Sequence, residues 1–405
     1  MDTNILDTID MRELGKELQQ ARIKRGMTQE DAAQVIDVAR TTITAIEKGE
    51  RRIKAGELIK LAQAYGRQVS DFVRPAPKIE PFQVQFRGPY TRTDEDATAI
   101  TTYIDELERL CRNYLELEQI TSSPLMRKYP LEYEIGGLRT AQAAESVAIE
   151  ERNRLGLGDG PIPILRDILE QDVGLRIFYL LLLPPKFSAI YLYTEQLGGC
   201  IAINSLHPEE RRHWSLAHDY AHFLVHRYKP IVFIEEGYQR LPESERFADY
   251  SDYFALYFLM PTAGLTRRFN DIQRMKGKIT PADLCTLAHY YGVSVAAITL
   301  RLEDMRLFPT GIWDKLREGG LKVREAQQQL DLAAIPARDE QLPIYYQYLA
   351  VDAFDRALIS EGQFARFLGV DRLEARRVAE VLRQHTQGVT DNTTIDLDMT
   401  QSLGA

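Results

Sequence analysis

His218 and His222 stand four residues apart in SLAHDYAHFLVH (215–226), and Asp219 follows the first of them. On a helix, residues at this spacing project from one face, so both imidazoles can aim a ring nitrogen at a single ion. Catalytic zinc takes three protein ligands and leaves a fourth position to water, whose proton it makes easy to remove. A carboxylate beside the first histidine, here Asp219, suits a general base for that water. The third ligand must come from another element. SERFADYSDYFALYFLMP (244–261) sets Glu245, Asp249 and Asp252 on one helical stripe, and Asp249 or Glu245 is expected to complete the site. Two histidines four apart also occur as ordinary helix packing, so the surroundings decide their meaning.

Those surroundings have an order. PEERRHWSLAHDYAHFLVHRY (208–228) reads as a helix, with Pro208 near its first turn and two glutamates at its positive end. Ahead of it, GLRIFYLLLLPP, FSAIYLY and GGCIAIN read as three short strands broken by Pro and Gly, after helices over 138–154 and 162–172. Residues 263–308 read as further helices, with Thr280 as a cap and Asp283 three residues on. That segment has the outline of a second helix-turn-helix, but its outer face is poor in Lys and Arg, which favours docking over DNA contact. Segments 343–385 are helical, and the end of the chain is polar and expected to be mobile.

The N-terminal stretch has a different character. MRELGKELQQARIKR (11–25) carries apolar residues at near-helical spacing and stops at Gly26; Thr28 and Asp31 then open a short helix. In VARTTITAIEKGERR (38–52), Ile43 and Ile46 suit a core while Arg40, Thr41 and Thr44 point away from it. Two short helices with a tight turn, the second bearing hydroxyls and an arginine outward, suit entry into a major groove. Residues 1–74 hold 13 Lys+Arg against 12 Asp+Glu, and the remainder 37 against 47. Contact with nucleic acid is therefore expected at the N-terminal end only. After the Pro-marked RPAPKIEPF, Tyr103, Leu107, Leu110, Tyr114 and Leu117 form a heptad seam of about two repeats, a candidate dimer contact.

Composition sets outer limits. A chain of 405 residues, 44% hydrophobic, is long enough for two to four cores. No run approaches the roughly eighteen apolar residues of a membrane span, and the N-terminus lacks a signal-peptide pattern, so a cytoplasmic protein without membrane partners is expected. Cys111, Cys200 and Cys285 make no C-x-x-C pair and are expected to be buried free thiols.

Two resemblances sharpen these readings. MTQEDAAQVIDVARTTITAIEKGERRIKAGELIKLAQAYGRQVSDF, within Leu14 to Phe72, resembles the Xre and phage-repressor family of helix-turn-helix domains. The resemblance implies a double-stranded DNA operator bound by a homodimer, with Gln29 on a phosphate and Arg40, Thr41 and Thr44 near base edges. Lys48, Arg51, Arg52 and Lys54 are placed for phosphates. INSLHPEERRHWSLAHDYAHFLVH with DYSDYFALYFLMP, and downstream ITPADLCTLAHYYGVSVAAITLRLEDM, resembles the ImmA/IrrE metallopeptidases. It implies zinc on His218, His222 and Asp249, and Asp219 as general base. Both carboxylates are one methylene shorter than the glutamates of the family pattern, which bears more on catalysis than on metal binding.

The expected fold is mainly α with an α+β core. It comprises an Xre-type domain (1–75), a linker with a possible dimerisation helix (76–137), a zincin-like ImmA/IrrE domain with a small β-sheet (138–310) and a helical C-terminal region (311–405). The expected function is a DNA-binding transcription regulator with a zinc peptidase-like sensor or effector. The rivals are an active zinc endopeptidase that cuts a partner repressor in stress response or phage and mobile-element control, and a ligand-sensing module without turnover.

Overall fold

The structure is a computed structural model that describes residues 10–67, 69, 72, 94–136, 139–228, 231–234, 250–332 and 341–390. The chain divides into two compact units, Met1–Lys78 and Ile79–Ala405. RPAPKIEPF lies outside the described residues, as does the polar end of the chain.

In the first unit, α1 (Met11–Lys24), α2 (Gln29–Ile36), α3 (Arg40–Glu47) and α4 (Ala55–Ala64) enclose a core of Leu14, Leu18, Ile36, Ile43, Ile46, Leu58 and Leu61. Thr28 and Asp31 form the expected reciprocal cap on α2. Gly15 lets α1 lie against the end of α3, because a Cβ there would sit 2.5 Å from the carbonyl oxygens of Ile46 and Glu47. Beneath that contact, Arg22 Nε and Nη2 donate to the two carboxylate oxygens of Glu47 at 2.6 and 3.0 Å, with both residues buried. This fork holds the inner end of α3 in place.

The second unit is built around a sheet. Strands β1 (Arg176–Leu180), β2 (Phe187–Thr194), β3 (Gly198–Asn204) and β4 (Ile231–Ile234) stand in the order β1-β3-β2-β4 among the described residues. β1 runs parallel to β3, whereas β2 is antiparallel to both β3 and β4. β4 is an addition to the three strands legible in the sequence. Alternate residues along the sheet enter two different cores, as the pleat requires. Ile177, Tyr179, Ala189, Tyr191, Ile201 and Ile203 belong to one, and Phe178, Leu180, Ile190, Leu192, Cys200 and Ala202 to the other.

Helices before and after the sheet cover these faces. α5 (Asp94–Thr121) belongs to the second core; α6 (Thr140–Arg154) and α7 (Leu165–Ile168), which runs into a π-helical turn, belong to the first. So do α8 (Glu209–Val225), α9 (Tyr250–Leu259), α10 (Thr262–Lys276), α11 (Pro281–Tyr291) and α12 (Val295–Asp304). After α13 (Ile312–Glu318) and α14 (Val323–Gln329), the helices α15 (Ile344–Asp355), α16 (Glu361–Leu368) and α17 (Arg372–Thr390) join α5 in the second core.

Two expectations change here. Leu107, Leu110, Tyr114 and Leu117 are buried within the chain, with Tyr114 edge-on to Tyr346 at 5.3 Å between ring centroids. The heptad seam of α5 from Leu107 to Leu117 is therefore filled from inside the unit. The outlined second helix-turn-helix exists as α11 and α12, with the expected Thr280–Asp283 cap, but α12 buries almost every residue from Val295 to Leu302. α12 itself therefore leaves little more than Asp304 exposed. All three cysteines are buried free thiols, as expected.

Candidate metal centre and nucleic-acid interface

α8 passes through the middle of the first core, and every residue from Trp214 to Val225 is buried. On it, His218 Nε2 and His222 Nε2 approach to 3.1 Å. The next helix supplies the groups behind each ring. His218 Nδ1 lies 3.0 Å from Asp252 Oδ1, and His222 Nδ1 lies 3.3 Å from Ser251 Oγ. Consecutive residues in the first turn of α9 thus face consecutive turns of α8. Asp252 is on the acidic stripe read from the sequence, but it faces the outer nitrogen of His218. Ser251 carried no sequence signal beyond its place beside Asp252. Asp249 and Glu245 lie outside the described residues, among which no cluster of three or more His, Cys, Asp or Glu suited to a metal occurs.

Asp219 is fully buried, and neither of its carboxylate oxygens has a hydrogen-bond partner. Burial pushes its carboxyl up to about 7, against the pull of neighbouring His218. Burial, with His218 and His226 nearby, holds His222 well below the usual histidine range, so its imidazole is neutral. His226 caps the end of α8, its ring 6.5 Å from that of His222. His207 and His213 contact the carbonyl oxygens of Pro185 and Gly292, away from the pair.

Tyr220 is engaged elsewhere. Its hydroxyl donates to Glu151 Oε2 at 2.5 Å and accepts from Arg154 Nη2 at 3.0 Å, and Tyr133 donates to the other oxygen of Glu151. This buried cluster ties α8 to α6 and leaves Tyr220 no part at the histidine pair. Tyr228 is exposed and meets Tyr193 edge-on; Tyr238 lies outside the described residues. Asn204 closes β3 by donating from Nδ2 to the carbonyl oxygens of Leu182 and Phe187 at 2.8 and 2.7 Å.

In the first unit, Arg40 and Thr41 are exposed at the start of α3, Thr44 is half-buried, and Lys48, Arg52 and Lys54 are exposed beyond its end. Gln29 spans α2 and α3: its Nε2 donates to Glu47 Oε2 at 2.9 Å, while its Oε1 accepts from Thr44 Oγ1 at 3.2 Å. Gln29 therefore fixes the angle between the two helices. Arg51 is committed to Glu57 by two hydrogen bonds of 3.1 and 2.8 Å. Sequence reasoning missed the Arg22–Glu47 fork beneath Gln29, whose only trace is a glutamate beside the core residue Ile46.

Comparison with known proteins adds four findings. The helix-turn-helix family profile matches residues 18–72, and that of the M78 peptidases, described as the IrrE N-terminal-like domain, matches residues 170–303. No curated protein matches the sequence significantly. Among solved structures, Bacillus thuringiensis PlcR in complex with the peptide PapR7 and DNA is similar at 12% identity, over 94% of this chain and 98% of that one, with a TM-score of 0.18. A helix-turn-helix domain and an IrrE N-terminal-like domain, the first in Met1–Lys78 and the second around the buried histidine pair, are thus the two family components of this chain.

Proposed function

We propose that the chain is a DNA-binding transcription regulator whose second unit holds zinc through His218 and His222 and uses that site to sense or to act. The approach of the two Nε2 atoms to 3.1 Å carries the metal reading. Two nitrogens on one tetrahedral zinc, each at about 2.0–2.1 Å, stand roughly 3.3 Å apart. The buried, unpartnered carboxylate of Asp219 beside them fits a group that awaits a cation or its water. Asp249 or Glu245 is the proposed third ligand. When bound, zinc supplies a Lewis acid and an acidified water. Elemental analysis of the purified chain beside His222→Ala tests the reading: zinc retained by the natural chain and lost from the variant is expected, and no retained zinc in either would overturn it.

For DNA, Arg40 and Thr41 are the exposed residues at the reading end of α3, and Lys48, Arg52 and Lys54 are placed for phosphates. Two copies on paired half-sites, in a cytoplasmic homodimer, are the arrangement that one short reading helix favours. Arg40→Ala should weaken specific operator binding by about 1–3 kcal/mol. Unchanged discrimination in a binding titration would remove Arg40 from the readout.

Asp219 favours a second reading, a zinc endopeptidase acting on a partner repressor. A carboxyl held at about 7 can take a proton near neutral pH, as a general base must. Cleavage of a co-expressed repressor that persists in Asp219→Asn would exclude that role.

A further inference from the structure

The sheet face that meets α5 buries a positive charge. Arg176, on β1, is fully buried; its Nη2 donates to Glu118 Oε1 at 2.5 Å and its Nη1 to the carbonyl oxygen of Leu197. The guanidinium lies over the Tyr114 ring, 4.9 Å from its centroid. Its buried Nε–H has no acceptor, so the groups that hold Arg176 leave part of its charge unanswered. Cys200, on β3, is the partner of Arg176 in the parallel register. Cys111, one turn before Tyr114 on α5, is hydrogen-bonded to Cys200 thiol to thiol, and Cys200 Sγ lies 3.6 Å from the carbonyl oxygen of Gly198. Both thiols are fully buried in the second core. Burial raises each of them, but the hydrogen bond with Cys111 and the charges of Arg176 and Arg127 bring Cys200 below its ordinary value, while Cys111 stays well above. A thiolate is the nucleophilic form of cysteine, so Cys200 is the sulfur that reacts first and Cys111 the one in place to answer it.

We propose that Cys111 and Cys200 are a reversible intramolecular redox pair, closed to a disulfide by hydrogen peroxide and reopened by a dithiol. The Cys200 sulfur attacks one peroxide oxygen and the O–O bond breaks. The other oxygen leaves as hydroxide and takes up the proton that the thiol gave up, forming water, and Cys200 is left as a sulfenic acid. The Cys111 sulfur then attacks the Cys200 sulfur; the S–O bond breaks and that oxygen leaves as a second water with the Cys111 proton. Two thiols lose two electrons together, and the peroxide is reduced to two waters. Because both sulfurs are buried, peroxide reaches them through local opening of α5 from the sheet, which makes the reaction slow. Once closed, the bond ties α5 to β3 across the second core and restricts the unfolded chain. Cys285 belongs to the first core and serves as the internal control.

The test uses the full chain, reduced, treated with hydrogen peroxide, denatured in excess alkylating reagent and mapped by peptide mass spectrometry. Peptides joined through Cys111 and Cys200 are expected, separated again by dithiothreitol, with Cys285 alkylated throughout. The oxidised chain should also melt higher than the reduced one. In Cys111→Ser, dimedone should trap the sulfenic acid on Cys200; in Cys200→Ser, Cys111 should take no dimedone. The peptide map of the natural chain decides the pairing even where a variant fails to fold. Cys111 and Cys200 both still alkylated after peroxide, Cys200 carried to sulfinic acid without a bond to Cys111, or a bond that involves Cys285 would each overturn the pair. Dimedone on Cys111 in Cys200→Ser would overturn the order of attack, and an oxidised chain that melts no higher would overturn the tie between α5 and β3.

Discussion

Asp219 stands out among the single residues because it is ionisable, fully buried and unpartnered. Its carboxyl is raised to about 7 by burial, far above the unfolded value near 4. The native state of the metal-free chain therefore binds the proton more tightly than the unfolded state does. The stability this provides is complete below about pH 4 and is lost as pH rises through about 7. Asp219→Asn, which has nothing to ionise, should melt higher than the natural metal-stripped chain at pH 8. The gap, on the order of a few kcal/mol, should close toward pH 4. A melting difference independent of pH would show that Asp219 is not held protonated by the fold. Glu170 is also pushed up to about 7 by burial and tilts the natural chain the same way, so the comparison must be made between the two variants at each pH.

At the scale of elements, the placing of α3 depends on how closely α1 can approach it. Gly15→Ala would drive a Cβ into the Ile46 and Glu47 carbonyls, and overpacking of this kind costs about 1–3 kcal/mol. Gly56, in α4, has no heavy atom within 4 Å of where its Cβ would lie. Gly56→Ala should therefore stabilise the first unit by roughly 0.5 kcal/mol through helix propensity. Denaturant melts of residues 1–78 would measure both, and equal effects would mean that the α1–α3 contact is looser than described. The caps at Thr28 and Thr280 were readable because a cap is a local bargain between residues three apart. The fate of α12 was not readable, since an amphipathic helix and one buried over most of its length differ only in what surrounds them.

For the molecule as a whole, the sheet needs helices on both faces, and one of those faces is covered jointly by α5 and by the C-terminal helices. Tyr346, Phe364 and Phe367 join α5 over Phe178, Ile190 and Leu192. The edge of β1 is met by the same C-terminal segment, where Tyr179 N donates to Gln341 O at 2.9 Å. A chain cut after Thr310 would keep α5 on that sheet face but remove Tyr346, Phe364 and Phe367, exposing the part of the core that they fill. It should be insoluble or lose cooperative unfolding, although every residue matched to the IrrE-like domain is present. A soluble product with a sharp melt would show that the C-terminal helices are dispensable to the core.

The histidine spacing, the strand and helix order, the caps and the excess of acidic residues beyond the first 74 were all determined by the sequence, because each rests on composition or on neighbours within a turn or a pleat. The second core, the inward use of the α5 seam and the commitment of Gln29 and Tyr220 to holding helices together were decided by tertiary structure. So was the pairing of Ser251 and Asp252 with the two histidines. Each of these depends on groups brought together across tens of residues, and a stripe of apolar or acidic side chains carries no mark of which partner will fill it.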